Sequence, residues 1–213
     1  MNFQPEYLYH VYNRGNNSQL IFFKDENYFF FLRKIKKELL PYCDFLAYCL
    51  MPTHFHFMVY VKPPGIGLTA PSGLTDYHPL VKGIAKLLSS YSQAINKQEG
   101  RTGGLFQKKT KAKMLTYPSD RSKRSDGFER SDGYPDNYAF NCFNYIHQNP
   151  LKAGLVKDML QWQFSSYNDY SGLCSESLCN KKLTFEFIPF LNNKNFRELS
   201  SKAVSQESEK GLY

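Results

Sequence analysis

The run His54-Phe55-His56 is the sharpest chemical feature of this 213-residue sequence. Alternate residues of a β-strand lie on the same face, so both imidazoles would point one way and Phe55 would point the other, into a core. Two convergent imidazoles are a natural half of a divalent metal site. The spacing also fits two exposed polar residues on an amphipathic strand, so this motif alone leaves both interpretations open.

Tyr145 and Asn149 form a second pair, in the run FNYIHQNP. Residues four apart on a helix share a face and lie about one turn from each other. A tyrosine hydroxyl can act as a covalent nucleophile, and a nearby amide oxygen could complete a metal site. The chain has 16 tyrosines, however, and most of them must be ordinary half-buried side chains. Without other observations, the residues favour a structural role for Tyr145.

Basic residues cluster after position 100, with Phe106 and Tyr117 interleaved. Strand alternation would place Lys109, Lys111 and Lys113 in one row, which can follow a phosphate backbone while exposed aromatic rings stack on bases. Charged side chains also protect sheet edges against pairing, so both interpretations stand. The candidate DNA contacts are Arg14, Arg101, Lys108, Lys109, Lys111 and Lys113.

The composition favours a folded protein with a polyanionic partner. Hydrophobic residues make up 42% of the chain and the net charge is +8, and Lys and Arg gain affinity for phosphates by releasing condensed counterions. Five cysteines without a CxxC motif argue against a disulfide framework or a zinc ribbon. No apolar run is long enough for a bilayer and no signal-peptide pattern opens the sequence, so we expect a cytoplasmic protein. Nucleotide-binding, serine-hydrolase and HExxH metalloprotease motifs do not occur.

Hydrophobic periodicity predicts the order strand, helix, strand, strand, helix, strand. The predicted strands cover 7–13, 43–50, 54–62 and 111–117, and the predicted helices cover 26–40 and 80–98. This order fits a ferredoxin-like α+β sandwich. Such an antiparallel sheet carries helices on one face, and its other face is free to meet a ligand.

Four further elements are predicted around this core. Residues 19–23 could form a short return strand, and residues 137–148 a third helix that stops before Pro150, because proline disfavours helical geometry at the preceding residue. Residues 63–79 and 118–136 are expected to be loops. The buried stripe of the first helix is expected to contain Phe29, Leu32, Ile35 and Leu39.

Several segments together resemble the REP-associated tyrosine transposases, a branch of the single-tyrosine HUH transposase family. The matching runs are YHVYNRGNN (9–17), MPTHFHFMVYV (51–61), GGLFQKKTKAK (103–113) and YIHQNPLKAGLV (145–156), and SSYNDYSG (165–172) looks like a downstream segment of the family. Each motif alone is modest. Their joint order is specific, and it spans about residues 7–173.

The resemblance implies a site, a reaction and a partner. His54 and His56 would be the HUH pair that holds Mg²⁺ or Mn²⁺, Asn149 the third ligand, and Tyr145 the nucleophile that forms a 5′-phosphotyrosine. The substrate would be single-stranded or hairpin-forming DNA, often a repetitive palindromic element, bound by a monomer or a homodimer. Residues 1–175 would be the transposase domain, and residues 176–213 a partly helical extension.

Departures from the family pattern leave two alternatives open. Thr53 stands where the family usually has Asn, which we expect to alter only a turn, and the divergent loops put the DNA sequence preference in doubt. One alternative is a binding or regulatory module of the same fold that has no catalytic activity. The other is a metal-dependent nuclease in which water is the nucleophile.

Overall fold

A four-stranded antiparallel sheet lies at the centre of the protein. The computed structural model describes residues 1–63, 78–116, 138–173, 177–189, 191–192 and 195–201. The strands are β1 (Leu8–Arg14), β2 (Cys43–Met51), β3 (His54–Val61) and β4 (Lys111–Met114), and their order in the sheet is β2-β3-β1-β4. This order, with β1 and β3 in the middle, confirms the predicted ferredoxin-like α+β class.

Three longer and three shorter helices surround the sheet in the described ranges. They are α1 (Asp25–Glu38), α2 (Pro79–Gln98), α3 (Tyr138–Lys152), α4 (Tyr167–Tyr170), α5 (Lys181–Phe187) and α6 (Phe196–Ser201). Most of the predicted loop at 63–79 and all of the predicted loop at 118–136 lie outside the described residues. None of the helices that the structure describes is long and apolar enough to cross a membrane.

Helices α1 and α2 cover one face of the sheet. Phe55 and Phe57 of β3 point to this face, where both rings contact Phe31 of α1. Tyr91 of α2 packs edge-on against the same Phe31 ring. Each such fully buried aromatic side chain contributes about 2–3 kcal/mol through removal of apolar surface from water.

The buried stripe of α1 differs from the predicted one at its first two positions. Ile35 and Leu39 are buried as expected, but Phe29 is 46% exposed, and Tyr28 and Phe31 are buried in its place. The 28, 31, 35 spacing is as compatible with helical periodicity as the predicted set. Tertiary contacts favour the observed set over the predicted one, because the rings of Phe22 and Phe164 stack on Tyr28 at centroid distances of 4.1 and 3.9 Å.

Helix α3 lies on the opposite face of the sheet. The side chain of His56 alternates with those of Phe55 and Phe57 along β3, and its ring contacts Tyr145 of α3. The predicted arrangement with helices on one face therefore describes α1 and α2, and the face expected to be free for a ligand is partly covered by α3. The histidine pair lies beneath this helix.

The predicted end of α3 before Pro150 is wrong, because the helix continues to Lys152. Proline removes one N–H donor, but the backbone beyond it still closes the last turn: the N–H of Ala153 donates to the carbonyl of Asn149 at 2.9 Å. Gly154 then adopts a φ of +68°, and the N–H of Leu155 donates to the Pro150 carbonyl. This glycine-based C-terminal motif ends the helix one turn later than the proline would suggest.

The predicted return strand at 19–23 is also wrong. The N–H groups of Ile21 and Phe22 both donate to the carbonyl of Pro52, and the carbonyl of Ile21 accepts a 2.7 Å hydrogen bond from the Tyr91 hydroxyl. Both side chains are buried. The segment therefore links the β2–β3 hairpin to α2. Its N–H groups donate to the hairpin turn and not to a neighbouring strand, so it does not form a strand itself.

Residues beyond the predicted domain boundary at 175 pack onto the same body. The side-chain amide of Asn144 donates to the carbonyl of Leu199, and that of Gln148 donates to the carbonyl of Ser200. The N–H of Asn180 donates to the carbonyl of Phe45 in β2. These contacts hold α6 against α3 and the start of α5 against the sheet.

Candidate active site

Two central strands place three histidines and a tyrosine on the face beneath α3. In the antiparallel register Tyr12 lies opposite His56 and Arg14 lies opposite His54, so these side chains share a face with His10. The His54 and His56 rings are 5.0 Å apart between centroids, and the His10 and His56 rings are 5.1 Å apart. The expected convergence of the HxH imidazoles is thus present in the structure.

Tyr145 packs directly against this histidine cluster. Its ring lies 5.3 Å from that of His56 and 6.0 Å from that of His10, edge-on in both cases. The structure therefore brings the two sequence-predicted motifs, 90 residues apart in the chain, into contact. Tyr145 is only 2% exposed, so a DNA phosphate can reach it only after the groups that cover it move.

His56 carries a buried nitrogen that has no hydrogen-bond partner in the described part of the chain. Its Nδ1 lies 2.9 Å from Nε2 of His10, whereas its Nε2 is buried and unsatisfied. A buried polar atom without a partner costs about 1–3 kcal/mol and calls for an explanation. Burial, together with the neighbouring His10 and His54, holds the pKa of His56 well below its usual range. The ring is therefore neutral at physiological pH, as metal binding requires.

His54 is more accessible and has a different partner. Its Nδ1 lies 2.9 Å from the hydroxyl of Thr53, the residue that departs from the family pattern. Thr53 was expected to alter only a turn, but the structure also gives it this contact with the candidate ligand. Burial and the nearby Arg14 guanidinium lower the pKa of His54 to about 4.

Asn149 lies on α3 one turn after Tyr145. Its amide nitrogen donates to the backbone carbonyl of Tyr145 at 2.7 Å, which leaves the amide oxygen as its available ligand atom. Among the described residues, no group of three His, Cys, Asp or Glu side chains is arranged to hold a metal. A cation at this site would rely on two imidazoles and on oxygen ligands. The unsatisfied Nε2 of His56 beside His54 fits such a cation.

Positive charges border the same face. Lys111 lies opposite Tyr12 and Lys113 opposite His10 in the β1–β4 pairing, so both share the face of the histidine cluster. The Lys111 ammonium lies 5.6 Å from the centre of the Tyr12 ring. These lysines and the exposed Arg14 are the predicted DNA contacts that the structure brings beside the cluster.

The other predicted DNA contacts lie elsewhere or have other partners. Arg101 donates to the side-chain oxygen of Gln19 at 2.6 Å, and the exposed Lys108 and Lys109 precede β4, outside the alternating row. The expectation that Phe106 is an exposed stacking ring is wrong, because it is 8% exposed and lies in the aromatic core. Tyr117 is outside the described residues.

Two cluster residues, His10 and Lys152, were missed by the sequence analysis. The Lys152 ammonium lies 6.0 Å from the centre of the Tyr145 ring, and burial lowers its pKa. The i, i+7 spacing from Tyr145 could have indicated this contact, because residues two turns apart share a helix face. No local spacing links His10 to the HxH motif. Only the register of β1 against β3 does so.

His147, the other histidine of α3, has a structural role. It is fully buried, and its Nε2 lies 2.7 Å from the hydroxyl of Ser166, which in turn accepts a hydrogen bond from the N–H of Tyr48. Burial lowers its pKa to about 3. This contact joins α3, β2 and the SSYNDYSG segment.

Acid should destabilise the protein through His147. Its pKa is lower in the folded than in the unfolded state, so the unfolded chain binds more protons below pH 6.5 and the stabilisation is lost as pH falls from there towards 3. Relative to neutral pH, the loss at pH 5 is about 2 kcal/mol from this one group. Urea unfolding of the wild type and of His147→Gln at pH 7.5 and 5.0 should show a smaller acid-induced loss in the variant. Equal losses would contradict this account, since His54 and His56 contribute alike to both proteins.

Comparisons with known proteins show a distant likeness. No protein-family model matches the sequence, and no curated protein matches it. Among solved structures, the chain is similar to one described as a REP-associated tyrosine transposase bound to a REP hairpin, with a TM-score of 0.51 and 15% sequence identity. The alignment covers 84% of this chain and 87% of that chain. At this identity, the similarity shows a shared fold.

Proposed function

We propose that this protein is a DNA nicking-and-joining enzyme in which Tyr145 is the nucleophile. The contact between the Tyr145 ring and His56, whose buried Nε2 has no partner, carries the proposal. This contact brings a candidate nucleophile and a candidate metal-binding nitrogen together on one face of the sheet. The shared fold with a tyrosine transposase structure adds support.

The ligand set proposed for Mg²⁺ or Mn²⁺ consists of His54, His56 and the amide oxygen of Asn149. Such a cation polarises a phosphate oxygen and stabilises the charge that develops on it. Both histidines are held neutral by burial, and each has its Nδ1 engaged by a neighbour. Their Nε2 atoms are therefore the nitrogens that remain for coordination.

The proposed reaction is a transesterification. The oxygen of the Tyr145 hydroxyl attacks phosphorus, a P–O bond to the tyrosine forms, and the P–O3′ bond breaks. The proton lost by the hydroxyl passes to solvent, and O3′ takes up a proton from solvent, so the step is balanced. The products are a 5′-phosphotyrosine and a DNA end with a free 3′-hydroxyl, and a second 3′-hydroxyl can reverse the step without ATP. The Lys152 ammonium lies 6.0 Å from the centre of the Tyr145 ring, which places a positive charge beside the proposed nucleophile.

Single-stranded or hairpin-forming DNA is the proposed substrate. Arg14, Lys111 and Lys113 border the histidine cluster and can hold the backbone on either side of the scissile phosphate. The similar solved structure is bound to a REP hairpin, which favours a hairpin as the first substrate to test.

Replacing Lys111 and Lys113 together by glutamine should weaken DNA binding and its dependence on salt. Two lost phosphate contacts reduce the slope of log affinity against log salt by about 1.4 for single-stranded DNA. Fluorescence anisotropy from 50 to 300 mM NaCl measures this slope. The matched control, Lys37→Gln with Lys82→Gln, changes two exposed lysines on α1 and α2 across the sheet and removes the same charge. Equal slopes for the two double variants would exclude the proposed DNA face.

Incubation with hairpin-bearing single-stranded DNA and Mn²⁺, followed by a denaturing gel, tests the proposed function. We expect one DNA fragment attached to the protein and one fragment with a free 3′-hydroxyl. Two free fragments without attachment would instead identify a nuclease that uses water. Binding without cleavage would identify a module without catalytic activity.

A further inference from the structure

His10 makes a buried hydrogen bond to the candidate metal ligand His56. His10 Nε2 and His56 Nδ1 are 2.9 Å apart, both rings are almost wholly buried, and they stack at an interplanar angle of 23°. The Tyr12 ring lies 4.7 Å from the His10 ring and 5.7 Å from the His56 ring between centroids, at an interplanar angle of 28° to each. The relative position of the two imidazoles is therefore fixed by packing as well as by the hydrogen bond.

The hydrogen bond between the two imidazoles has two possible proton arrangements. In the first, Nδ1–H of His56 donates to Nε2 of His10, and Nε2 of His56 keeps its lone pair. In the second, His10 donates and the proton of His56 lies on Nε2, where it blocks coordination of a cation.

The surroundings of His56 favour the first arrangement. Its Nε2 is buried and has no partner within the described residues. The second arrangement would leave a buried N–H donor unsatisfied, and such orphaned donors are rarer in proteins than under-satisfied acceptors. The first arrangement leaves a lone pair that a cation can use.

We propose that His10 is a positioning residue that holds His56 in the Nδ1–H tautomer, so that Nε2 is free to bind a divalent cation. Metal-binding histidines commonly donate their second N–H to a carboxylate, a backbone carbonyl or water. Here the imidazole of His10 takes that place. The assignment rests on the proposed function in that it supposes a metal on His56.

His54 provides an internal comparison. Its Nδ1 partner is the hydroxyl of Thr53, and the ring is partly exposed. Water can replace that hydroxyl, whereas the buried His56 has no such substitute. Loss of the His10 side chain should therefore weaken Mn²⁺ binding more than Thr53→Val does.

Mn²⁺ titration calorimetry without DNA tests this role on four proteins: the wild type, His10→Phe, His10→Gln and Thr53→Val. The phenyl ring retains the packing but has no acceptor, so we expect binding about 10–100-fold weaker, as is typical for a lost outer-shell partner. Glutamine restores an acceptor and should stay within about threefold of the wild type. Binding by His10→Phe that equals the wild type would overturn the inference.

A second measurement keeps the result interpretable if His10→Phe folds poorly. Long-range ¹H–¹⁵N correlation spectra of the metal-free wild type report which nitrogen of His56 carries the proton. A proton on Nδ1 is expected, and a proton on Nε2 would overturn the inference. If the wild type bound no Mn²⁺, as is expected of His56→Gln, the proposed function itself would be contradicted. Failure of the proposed function is therefore distinguishable from failure of the role assigned to His10.

Discussion

Tyr145→Phe is expected to abolish covalent attachment to DNA while the protein still folds and binds DNA. The change removes only the hydroxyl oxygen that forms the bond to phosphorus, and loss of a nucleophile lowers turnover by at least about 10³-fold. The phenyl ring keeps its contact with His56, so the stability should change by only about 1 kcal/mol. Denaturing gels measure the attachment, and anisotropy measures the binding.

Tyr91→Phe is the matched control for this change. It also removes the hydroxyl of a buried tyrosine, and with it a 2.7 Å hydrogen bond to the carbonyl of Ile21, but it lies on the opposite face of the sheet. We expect a modest loss of stability and undiminished attachment. Attachment that persists in Tyr145→Phe and disappears in Tyr91→Phe would refute the assignment of the nucleophile.

His56→Gln is expected to abolish Mn²⁺ binding and metal-dependent cleavage. The change removes Nε2 of His56, which is buried without a partner among the described residues, and a site with so few protein ligands loses most of its metal affinity when one of them is removed. DNA binding should persist, because the basic residues that border the site are untouched. Calorimetry measures the metal affinity, and a nicking assay measures the cleavage.

His78→Asn serves as the control for loss of a buried histidine elsewhere. His78 caps α2 by accepting the N–H of Leu80, and asparagine is also a favourable N-cap residue. Metal binding and cleavage should match the wild type in this variant. If His56→Gln behaved like His78→Asn, the histidine pair would not be a metal site.

The fold could be predicted from the sequence because its strands and two long helices have clear periodicity. Alternation around Phe55 and Phe57 placed β3 correctly, and the stripe through Ile84, Leu87 and Tyr91 placed α2. The errors arose where tertiary contacts compete with local signals. Ile21 donates to a hairpin carbonyl where no strand is available to pair with it, and Gly154 ends α3 where Pro150 was expected to.

The site was only partly accessible from sequence. Spacing identified His54 and His56, and the resemblance to a family singled out Tyr145. The contact between them depends on the placement of α3 on the sheet, which no local pattern specifies. His10 was missed because a single histidine on a strand gives no signal until the β1–β3 register places it beside His56.

Burial of Tyr145 adds one physical requirement to the proposed chemistry. At 2% exposure Tyr145 is almost wholly shielded from solvent, and exclusion of water would protect the proposed phosphotyrosine bond from hydrolysis. The same burial means that the groups that cover Tyr145 must move before DNA can reach it. Contacts of α6 with Asn144 and Gln148 on this helix would have to adapt or move with it.

Mass spectrometry of the trapped protein–DNA adduct tests the central claim most directly. After nuclease and protease digestion, the account predicts a residual nucleotide phosphate on the peptide that contains Tyr145 and on no other tyrosine peptide. A modification on a different residue, or efficient cleavage that leaves every tyrosine unmodified, would contradict it.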